Sequence, residues 1–303
     1  MKLINPDVII LPQSKGLEGV YKQIEIAGRT AYKSEDKITE DSAKQFVDML
    51  ISRGHTAPLE HGTVYLRGIA VRKDYMSYHI DDYKNNPYSR VYLVRDLEDP
   101  DVIEFYITSN FRVLYENNWL EDLQYLSEPT KFHEKRITAR FICSRSISHE
   151  LVRHRTFSFV QESSRYCNYS KDRFNNKLTF IIPSWLNLSE EEANMFLPLA
   201  HSGMELNEEG KNHLIFFNGL DVAEQTYLLM LRRGFKPQEA REVLPNALKT
   251  EVVMTGFVSD WKHFFRLRTT LLAETGKPHP DMSYLADILY TEFVKRKFIE
   301  PLV

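Results

Sequence analysis

The stretch that most constrains this chain is RHRTFSFVQESSRY, at residues 153–166. It combines three arginines and a histidine with four Ser or Thr hydroxyls, separated by a few apolar residues. So many cations exclude a place in the core, and the aromatic residues are untypical of a disordered tail. Guanidinium groups present planar sets of N–H donors that suit phosphate and carboxylate oxygens. The stretch therefore predicts a polyanion site on an ordered frame, with a solvated basic turn as the alternative.

Length and composition limit the class of protein. The 303 residues allow one large domain or two, and 43% hydrophobic residues are enough to bury a substantial core. A net formal charge of −3 argues against nucleic-acid binding over the whole surface. No apolar run reaches the roughly 18 residues of a membrane span, and the first residues do not resemble a signal peptide. The missing apolar run predicts no membrane contact. Cys143 and Cys167 are too few for a disulfide framework, so we expect a cytoplasmic location.

A second polar segment, GHTAPLEH at residues 54–61, places two histidines and a glutamate around a proline. Imidazole and carboxylate groups are common zinc ligands, so a metal site is one interpretation. However, His55 and His61 are six residues apart across Pro58, and neither cysteine is close in sequence. We therefore predict that no metal is bound here.

The apolar periodicity predicts an α+β fold. Strands are predicted at residues 8–11, 63–71, 137–143 and 178–182. Helices are predicted at residues 17–28, 40–52, 148–152, 214–233, 260–272 and from 280 onward, with caps at Gly28, Ser148 and Ser259. Residues 155–166 lack a 3.6-residue apolar period, so an extended loop is predicted there. Loops of this kind often carry binding chemistry.

Four separated segments carry a resemblance to the flavin-dependent thymidylate synthases, the thymidylate synthase complementing protein family. Arg-His-Arg at 153–155, Ser163 after seven further residues, and then Arg165-Tyr166 resemble the signature of that family. The other similar segments are residues 54–61, AREVLP at 240–245, and 261–268 with Phe264, Leu267 and Arg268. They occur in the order of the family, and the resemblance covers most of residues 20–71 and 135–290.

The resemblance implies a reaction and an assembly. The reaction is reductive methylation of dUMP to dTMP, in which methylenetetrahydrofolate supplies the carbon, FAD carries the hydride and NADPH reduces the flavin. The implied fold is a twisted, mostly antiparallel sheet with flanking helices in mixed α/β order. The implied assembly is a homotetramer with active sites between subunits.

The resemblance also implies roles for particular residues. The dUMP-binding residues would be Gln161, Ser163, Arg165, Arg241 and Glu150. The FAD-binding residues would be His55, Arg153, His154, Arg155, Gln161, His263 and His279, with Glu60 and His61 as framework. Arg268 matches an arginine at the pyrimidine and is the predicted catalytic residue, because a fixed cation stabilises negative charge developing on the uracil carbonyls. Cys167 directly follows Arg165-Tyr166, where guanidinium groups would lower a thiol pKa. The resemblance nevertheless implies activation of dUMP without an enzyme thiolate, so neither cysteine is predicted to be a nucleophile.

The sequence departs from the family at two places where asparagines contact the flavin. One asparagine is replaced within residues 256–258, and His263 stands in the place of the other. His279 matches a flavin-contacting histidine only if a gap of several residues is allowed. Flavin contacts within 255–263 are therefore the least supported part of the predicted site.

The sequence also predicts how the chain is organised, and it leaves two other functions open. We expect one domain over residues 1–303, with a Tyr-, Asp- and Asn-rich insertion at about 73–130. Two other functions stay open. One is a phosphate-binding flavoprotein reductase without methyl transfer, and the other is a nucleic-acid module that uses the basic and aromatic residues around 153–166. We expect no nucleic-acid partner, because the net charge is close to neutral.

Overall fold

The computed structural model describes residues 1–71, 78–96, 99, 101–171, 176–201, 205–272 and 276–302. Within these ranges the strands are β1 Lys2–Ile4, β2 Asp7–Leu11, β3 Thr63–Val71, β4 Arg90–Arg95, β5 Val102–Asn110, β6 Arg136–Ser144, β7 Ser158–Gln161, β8 Thr179–Ile181 and β9 Lys249–Phe257. The α-helices are α1 Gly16–Tyr32, α2 Ser42–Ser52, α3 Ile80–Asn85, α4 Phe111–Glu116, α5 Arg145–Leu151, α6 Glu190–His201, α7 Glu208–Arg232, α8 Pro237–Ala240, α9 Val258–Arg268 and α10 Pro280–Lys295. None of the helices in the described ranges is both long and apolar enough to cross a lipid bilayer.

A four-stranded antiparallel sheet in the order β2-β6-β9-β7 forms the centre of the fold. Strands β6 and β9 pair along their whole lengths, from Arg136 opposite Phe257 to Ser144 opposite Lys249. A second antiparallel sheet has the order β3-β5-β4, and β1 pairs with β8 in parallel. Helices flank these sheets, so the predicted α+β class with mostly antiparallel strands is confirmed.

Three hydrophobic cores hold these layers together. The first lies between the four-stranded sheet and helices α9 and α10, with Trp261 fully buried at its centre. The second lies between α1, α2 and the three-stranded sheet and includes Phe105. The third packs α7 against the β1–β8 pair through Phe217. Each helix buries one face in this way, and burial of that face accounts for most of its stability.

Three predicted helix caps are wrong, each for an identifiable reason. Gly28 lies inside α1, where a Cβ atom would come within 2.6 Å of the Phe46 ring, so this glycine serves close packing of α1 on α2 and does not end the helix. Helix α5 begins earlier than predicted, because Ser144 rather than Ser148 accepts a capping hydrogen bond from the backbone of Ile147. Helix α9 begins at Val258, so Ser259 lies within its first turn instead of capping it.

The extended loop predicted for residues 155–166 is partly a strand. Residues Ser158–Gln161 form β7, which pairs with β9 and supplies the edge of the central sheet. Four residues are too few to show an apolar period in the sequence, which is why the strand was not predicted. The rest of the stretch lies in turns on either side of β7, so the polar side chains are held close to a rigid strand.

The region of the predicted insertion contributes regular structure in its described part. Strand β5 pairs with all nine residues of β3, and β4 pairs with the other edge of β5. Residues 72–77, 97, 98 and 100 of this region lie outside the described residues. The interpretation of residues 73–130 as an insertion stays a prediction.

Candidate functional site

A cavity of about 750 Å³ brings together three segments that are far apart in sequence. They are the end of α5 with the turn after it, the last turns of α9, and the residues just before α10. Seven of the predicted site residues line it: Glu150, Arg153, His154, Arg155, His263, Arg268 and His279. Volumes of this size are typical of ligand pockets, which commonly measure roughly 300–1,000 Å³. We call it the cationic cavity.

Arg268 is held in place by two neighbours. Its Nη1 donates to Oε2 of Glu150 at 2.6 Å, and its Nε donates to Nε2 of His154 at 3.1 Å. Because a guanidinium group can only donate, Nε2 of His154 must be unprotonated, which puts the neutral ring's proton on Nδ1. The remaining N–H groups of Arg268 have no acceptor among the residues that the structure describes. The side chain is thus fixed while it keeps donors for a ligand.

His154 is a neutral histidine at physiological pH. Burial lowers its pKa to about 4, and the nearby charge of Arg268 acts in the same direction. Its ring packs edge-on against Phe264 of α9, with 5.0 Å between centroids. This packing and the bond from Arg268 orient the ring.

The charge of the cationic cavity suits an anionic ligand. Its lining includes Arg153, Arg155, Arg268 and Lys277, against the single carboxylate of Glu150. Arg153 and Arg155 are exposed, so their guanidinium groups are accessible to a bound molecule. Leu267 and Pro278 add apolar wall. Several cations beside an apolar wall fit a dinucleotide such as FAD, which combines a pyrophosphate with flat rings.

A second group of predicted residues surrounds the turn at residues 163–166. The backbone N–H of Ser163 donates to the carbonyl of Ala31 at 3.0 Å, and that of Tyr166 donates to the carbonyl of Ser163 at 3.1 Å. Nη1 of Arg241 lies 3.4 Å from Oγ of Ser164, although the two residues are 77 positions apart. Arg165 is exposed on the same turn. We call Ser163, Ser164, Arg165, Tyr166 and Arg241 the turn group.

His55 joins this group through two tyrosines. Nδ1 of His55 lies 3.2 Å from the hydroxyl of Tyr32, and the rings of Tyr32 and Tyr166 lie 5.3 Å apart. Gln161, on β7, donates its amide to Oγ of Ser148 at 2.9 Å and to Oγ1 of Thr250 at 3.2 Å. The structure therefore divides the predicted residues in two. His55, Gln161, Ser163, Arg165 and Arg241 are not among the residues that line the cationic cavity.

The side chains of the 54–61 segment have separate partners. His61 is fully buried, with Nδ1 2.8 Å from Oγ1 of Thr255, and burial together with Arg136 lowers its pKa to about 3. The carboxylate of Glu60 accepts from Nη1 of Arg112. His61 thus links this segment to β9, and Glu60 links it to α4. Both contacts are with other side chains of the protein, and the framework role of Glu60 and His61 stays a prediction.

A family model described as thymidylate synthase complementing protein matches residues 103–296, almost two thirds of the chain. The chain belongs to this family. The match includes the whole cationic cavity and the turn group. It also includes residues 103–130, from the second residue of β5 onward, which make up the last part of the predicted insertion.

Curated relatives carry the corresponding name. A flavin-dependent thymidylate synthase of Corynebacterium efficiens is 36% identical over 128 residues, which are 42% of this chain and 46% of that protein. One of Pyrococcus furiosus is 29% identical over 161 residues, 53% of this chain and 55% of that protein. The matched region thus spans about half the length of these relatives. Among solved structures, the UMP/dUMP methylase PolB of Streptomyces cacaoi is similar, with a TM-score of 0.42 and 16% identity over 97% of this chain and 93% of that one.

Several residues around the site in this family member were not predicted from sequence. Thr156, Leu267, Lys277 and Pro278 line the cationic cavity, and Lys277 could have been found as a cation two residues before His279. A set of charges beside the turn group, in which two buried glutamates pair with two half-buried lysines, was missed as well: Lys33, Glu162, Lys249 and Glu251. Lys249 and Glu251 alternate on β9, so their shared face would have been evident had the strand been predicted.

Both cysteines are free thiols in the interior. Cys143 is fully buried in the core under the central sheet, and this burial raises the pKa of its thiol. Cys167 is also fully buried, in the core that includes Phe180 and Phe217. The expectation that Cys167 lies among guanidinium groups is therefore wrong, because the chain turns it inward directly after Tyr166.

Proposed function

We propose that this protein catalyses the flavin-dependent reductive methylation of dUMP to dTMP. Methylenetetrahydrofolate would be the carbon donor, FAD the bound flavin and NADPH the reductant. Membership of the family supports the proposal. The main structural support is that Arg268 lies in one cavity together with Glu150, His154 and further cations.

The cationic cavity is the proposed flavin site. Arg153, Arg155 and Lys277 provide charge for the pyrophosphate, and His154, His263 and His279 border the space for the rings. When bound, FAD would supply the hydride of the reaction. Leu267 and Pro278 provide apolar surface that limits the access of water beside the rings.

Arg268 is the proposed catalytic residue. Glu150 and His154 hold its guanidinium group, so little reorganisation is needed when negative charge develops on the pyrimidine. A neutral His154 is essential to this arrangement, since a protonated ring could not accept from Arg268. Glu150 offsets one positive charge without removing the remaining N–H donors.

The turn group is the proposed site for the dUMP phosphate. Arg165 and Arg241 bring two guanidinium groups to a turn whose hydroxyls, on Ser163 and Ser164, add further donors. A nucleoside monophosphate carries nearly two negative charges, and charge-assisted hydrogen bonds to it are about twice as strong as neutral ones. Gln161 lies between the turn group and α5, which carries Glu150.

A homotetramer with active sites between subunits would let the turn group of one chain meet the cationic cavity of another. The exposed face of α7 supports association between copies. Ile215, Val222 and Leu229 lie seven residues apart on it and are 73%, 62% and 48% exposed. A seam with this spacing is typical of helices that pack against other helices. We place the enzyme in the cytoplasm, where both thiols would stay reduced.

The experiment that tests the function is turnover of labelled dUMP by the purified protein. With methylenetetrahydrofolate and NADPH present, labelled dTMP should form and the protein should carry a flavin absorbance spectrum. A flavoprotein reductase would oxidise NADPH and form no dTMP, whereas a nucleic-acid module would be colourless. Either of those results would contradict the proposal. Omission of the folate is the control, and it should abolish dTMP formation.

A further inference from the structure

A set of charges with two buried carboxylates adjoins the turn group. Nζ of Lys249 is 2.9 Å from Oε2 of Glu162 and 2.5 Å from Oε1 of Glu251. The two glutamates are only 3% and 7% exposed. One ammonium group therefore bridges two carboxylates in the interior, and one of these belongs to the residue just before Ser163.

Further contacts connect this set to its surroundings. Oε1 of Glu251 also accepts from Nζ of Lys33 at 2.8 Å, and Oε1 of Glu162 accepts from the hydroxyl of Tyr169 at 3.1 Å. The backbone N–H of Glu162 donates to the carbonyl of Glu251 at 2.8 Å. We call Lys33, Glu162, Tyr169, Lys249 and Glu251 the Lys249 cluster. It joins the end of α1, strand β9 and the start of the turn.

The two carboxylates differ in how they depend on Lys249. Glu251 keeps a second ammonium partner in Lys33, with Nε of Arg140 3.8 Å from its other oxygen. Glu162 forms its direct ion pair with Lys249 at 2.9 Å, the hydroxyl of Tyr169 donates to its other oxygen, and Lys33 adds a weaker electrostatic interaction. A buried charge that loses its partner costs far more than the pair contributes. Loss of Lys249 would thus leave the carboxylate of Glu162 without its direct ion pair and only partly neutralised by Lys33, directly before Ser163 in the chain.

A phosphate ligand makes this charge important. The hydrogen bond between Arg241 and Ser164 places the guanidinium group at the turn that Glu162 precedes. An unneutralised carboxylate there would attract Arg241 and Arg165 away from a ligand and repel the ligand itself, because interactions between charges are poorly screened in the interior. Lys249 removes both effects without reaching the ligand.

We propose that Lys249 is a positioning residue for phosphate binding: it neutralises Glu162 so that Arg165 and Arg241 can bind the dianion of the nucleotide. This inference rests on the proposed function, since it takes dUMP as the ligand of the turn group. If Lys249 only stabilised the fold, its loss would lower the free energy of unfolding and leave the affinity for dUMP unchanged. The inference predicts a specific loss of affinity for dUMP that can be reversed by removing the negative charge.

The test compares Lys249→Met with the double variant Lys249→Met/Glu162→Gln. Equilibrium titration gives the Kd for dUMP, and turnover gives KM and kcat. In Lys249→Met we expect Kd and KM for dUMP to rise at least tenfold, with kcat within about threefold of the parent and flavin content unchanged. In the double variant we expect Kd within about threefold of the parent, although the lysine is still absent. Lys249→Arg should also retain dUMP binding, because it keeps the charge.

Lys44→Met is the matched control, because it removes an exposed lysine from an ion pair with Asp48, on helix α2. Lys44→Met should leave the Kd, KM and kcat unchanged.

An unchanged Kd in folded Lys249→Met would overturn the inference, and so would a double variant that binds dUMP as weakly as the single one. If Lys249→Met does not fold, the double variant decides alone, since its Kd should still be close to that of the parent. A parent that binds dUMP without forming dTMP contradicts the proposed reaction and leaves the Kd comparison decisive, whereas a parent that does not bind dUMP contradicts both.

Discussion

Arg268 shows how single residues acquire a role from their neighbours. In the sequence it is one arginine at the end of a helix. In the structure Glu150 and His154 fix two of its donors, and the low pKa of His154 keeps that ring an acceptor. The family resemblance predicted all three residues for the site, but it did not predict that they contact one another. That contact depends on how α5 and α9 return to the same end of the central sheet.

Flavin binding should depend on the exposed arginines of the cationic cavity. We expect the double variant Arg153→Ala/Arg155→Ala to lose most of its flavin while it stays folded, because both side chains are exposed and support no core. Flavin absorbance per mole of purified protein measures the loss, and circular dichroism checks the fold. Arg266→Ala, one residue from the lining residue Leu267, is a control that should keep its flavin. A double variant that stays fully yellow would place the flavin elsewhere.

Neither thiol should be needed for catalysis. Both cysteines are buried, and burial raises the pKa of Cys143, so a reactive thiolate is disfavoured. We expect Cys143→Ala/Cys167→Ala to bind flavin and to form dTMP at a rate within about tenfold of the parent. The small volume removed from two cores should lower the unfolding free energy modestly. A folded double variant that binds dUMP and flavin but forms no dTMP would show that a thiol takes part.

At the scale of elements, two sequence patterns predicted strands. Short apolar runs at 8–11 and 178–182 appear as β2 and β8, and two longer alternating segments were predicted as well. The strand predicted at 137–143 alternates and appears as β6, and that at 63–71 appears as β3. Strand β9 was missed because eight of its nine residues are buried, on both faces, so no alternation marks it. Strand β7 was missed because it is short. Since β9 carries Thr250, Glu251 and Lys249, missing it also hid the Lys249 cluster.

The contact between the 54–61 segment and β9 should make stability depend on pH. His61 stays neutral in the folded chain down to pH about 3, whereas in the unfolded chain it takes up a proton below its ordinary value of 6.5. The unfolded state therefore gains protons first as the pH falls, and stability that is complete above pH 6.5 is lost towards pH 3. Between pH 6.5 and 5 the loss should be about 2 kcal/mol from this residue.

Urea unfolding of the parent and of His61→Gln over this pH range measures the effect. The variant should be less stable at pH 7, since it disturbs a buried site, but its stability should fall less steeply with decreasing pH. Equal slopes in the two proteins would show that His61 is protonated in the folded state or does not control this dependence.

At the scale of the whole molecule, the predicted site residues form two separate groups. The sequence could not show this separation. The signature residues 153–166 are continuous in sequence. Arg153, His154 and Arg155 nevertheless line the cationic cavity, whereas Ser163 and Arg165 lie in the turn group. Strand β7 lies between the two sets in the chain. A four-residue strand spans about 13 Å, so it separates the two ends of the signature. This separation is consistent with a site completed by a second subunit.

The exposed seam of α7 should lie in a contact between copies. We expect Val222→Glu to lower the molar mass of the assembly measured by light scattering after size exclusion, because a charge would be buried in an apolar helix contact. Gln45→Glu, at an exposed position of helix α2, is the control and should leave the mass unchanged. A Val222→Glu protein with the mass of the parent would exclude this face from the assembly.

The most direct test of the proposed chemistry is the rate of dTMP formation by Arg268→Ala compared with the parent, at saturating dUMP and with flavin content measured in both proteins. Loss of a fixed donor to developing negative charge typically costs on the order of a hundredfold or more in rate. We therefore predict that Arg268→Ala retains flavin and forms dTMP at least about a hundredfold more slowly. A variant that retains flavin and forms dTMP at nearly the parent rate would contradict the assignment of Arg268 and the mechanism built on it.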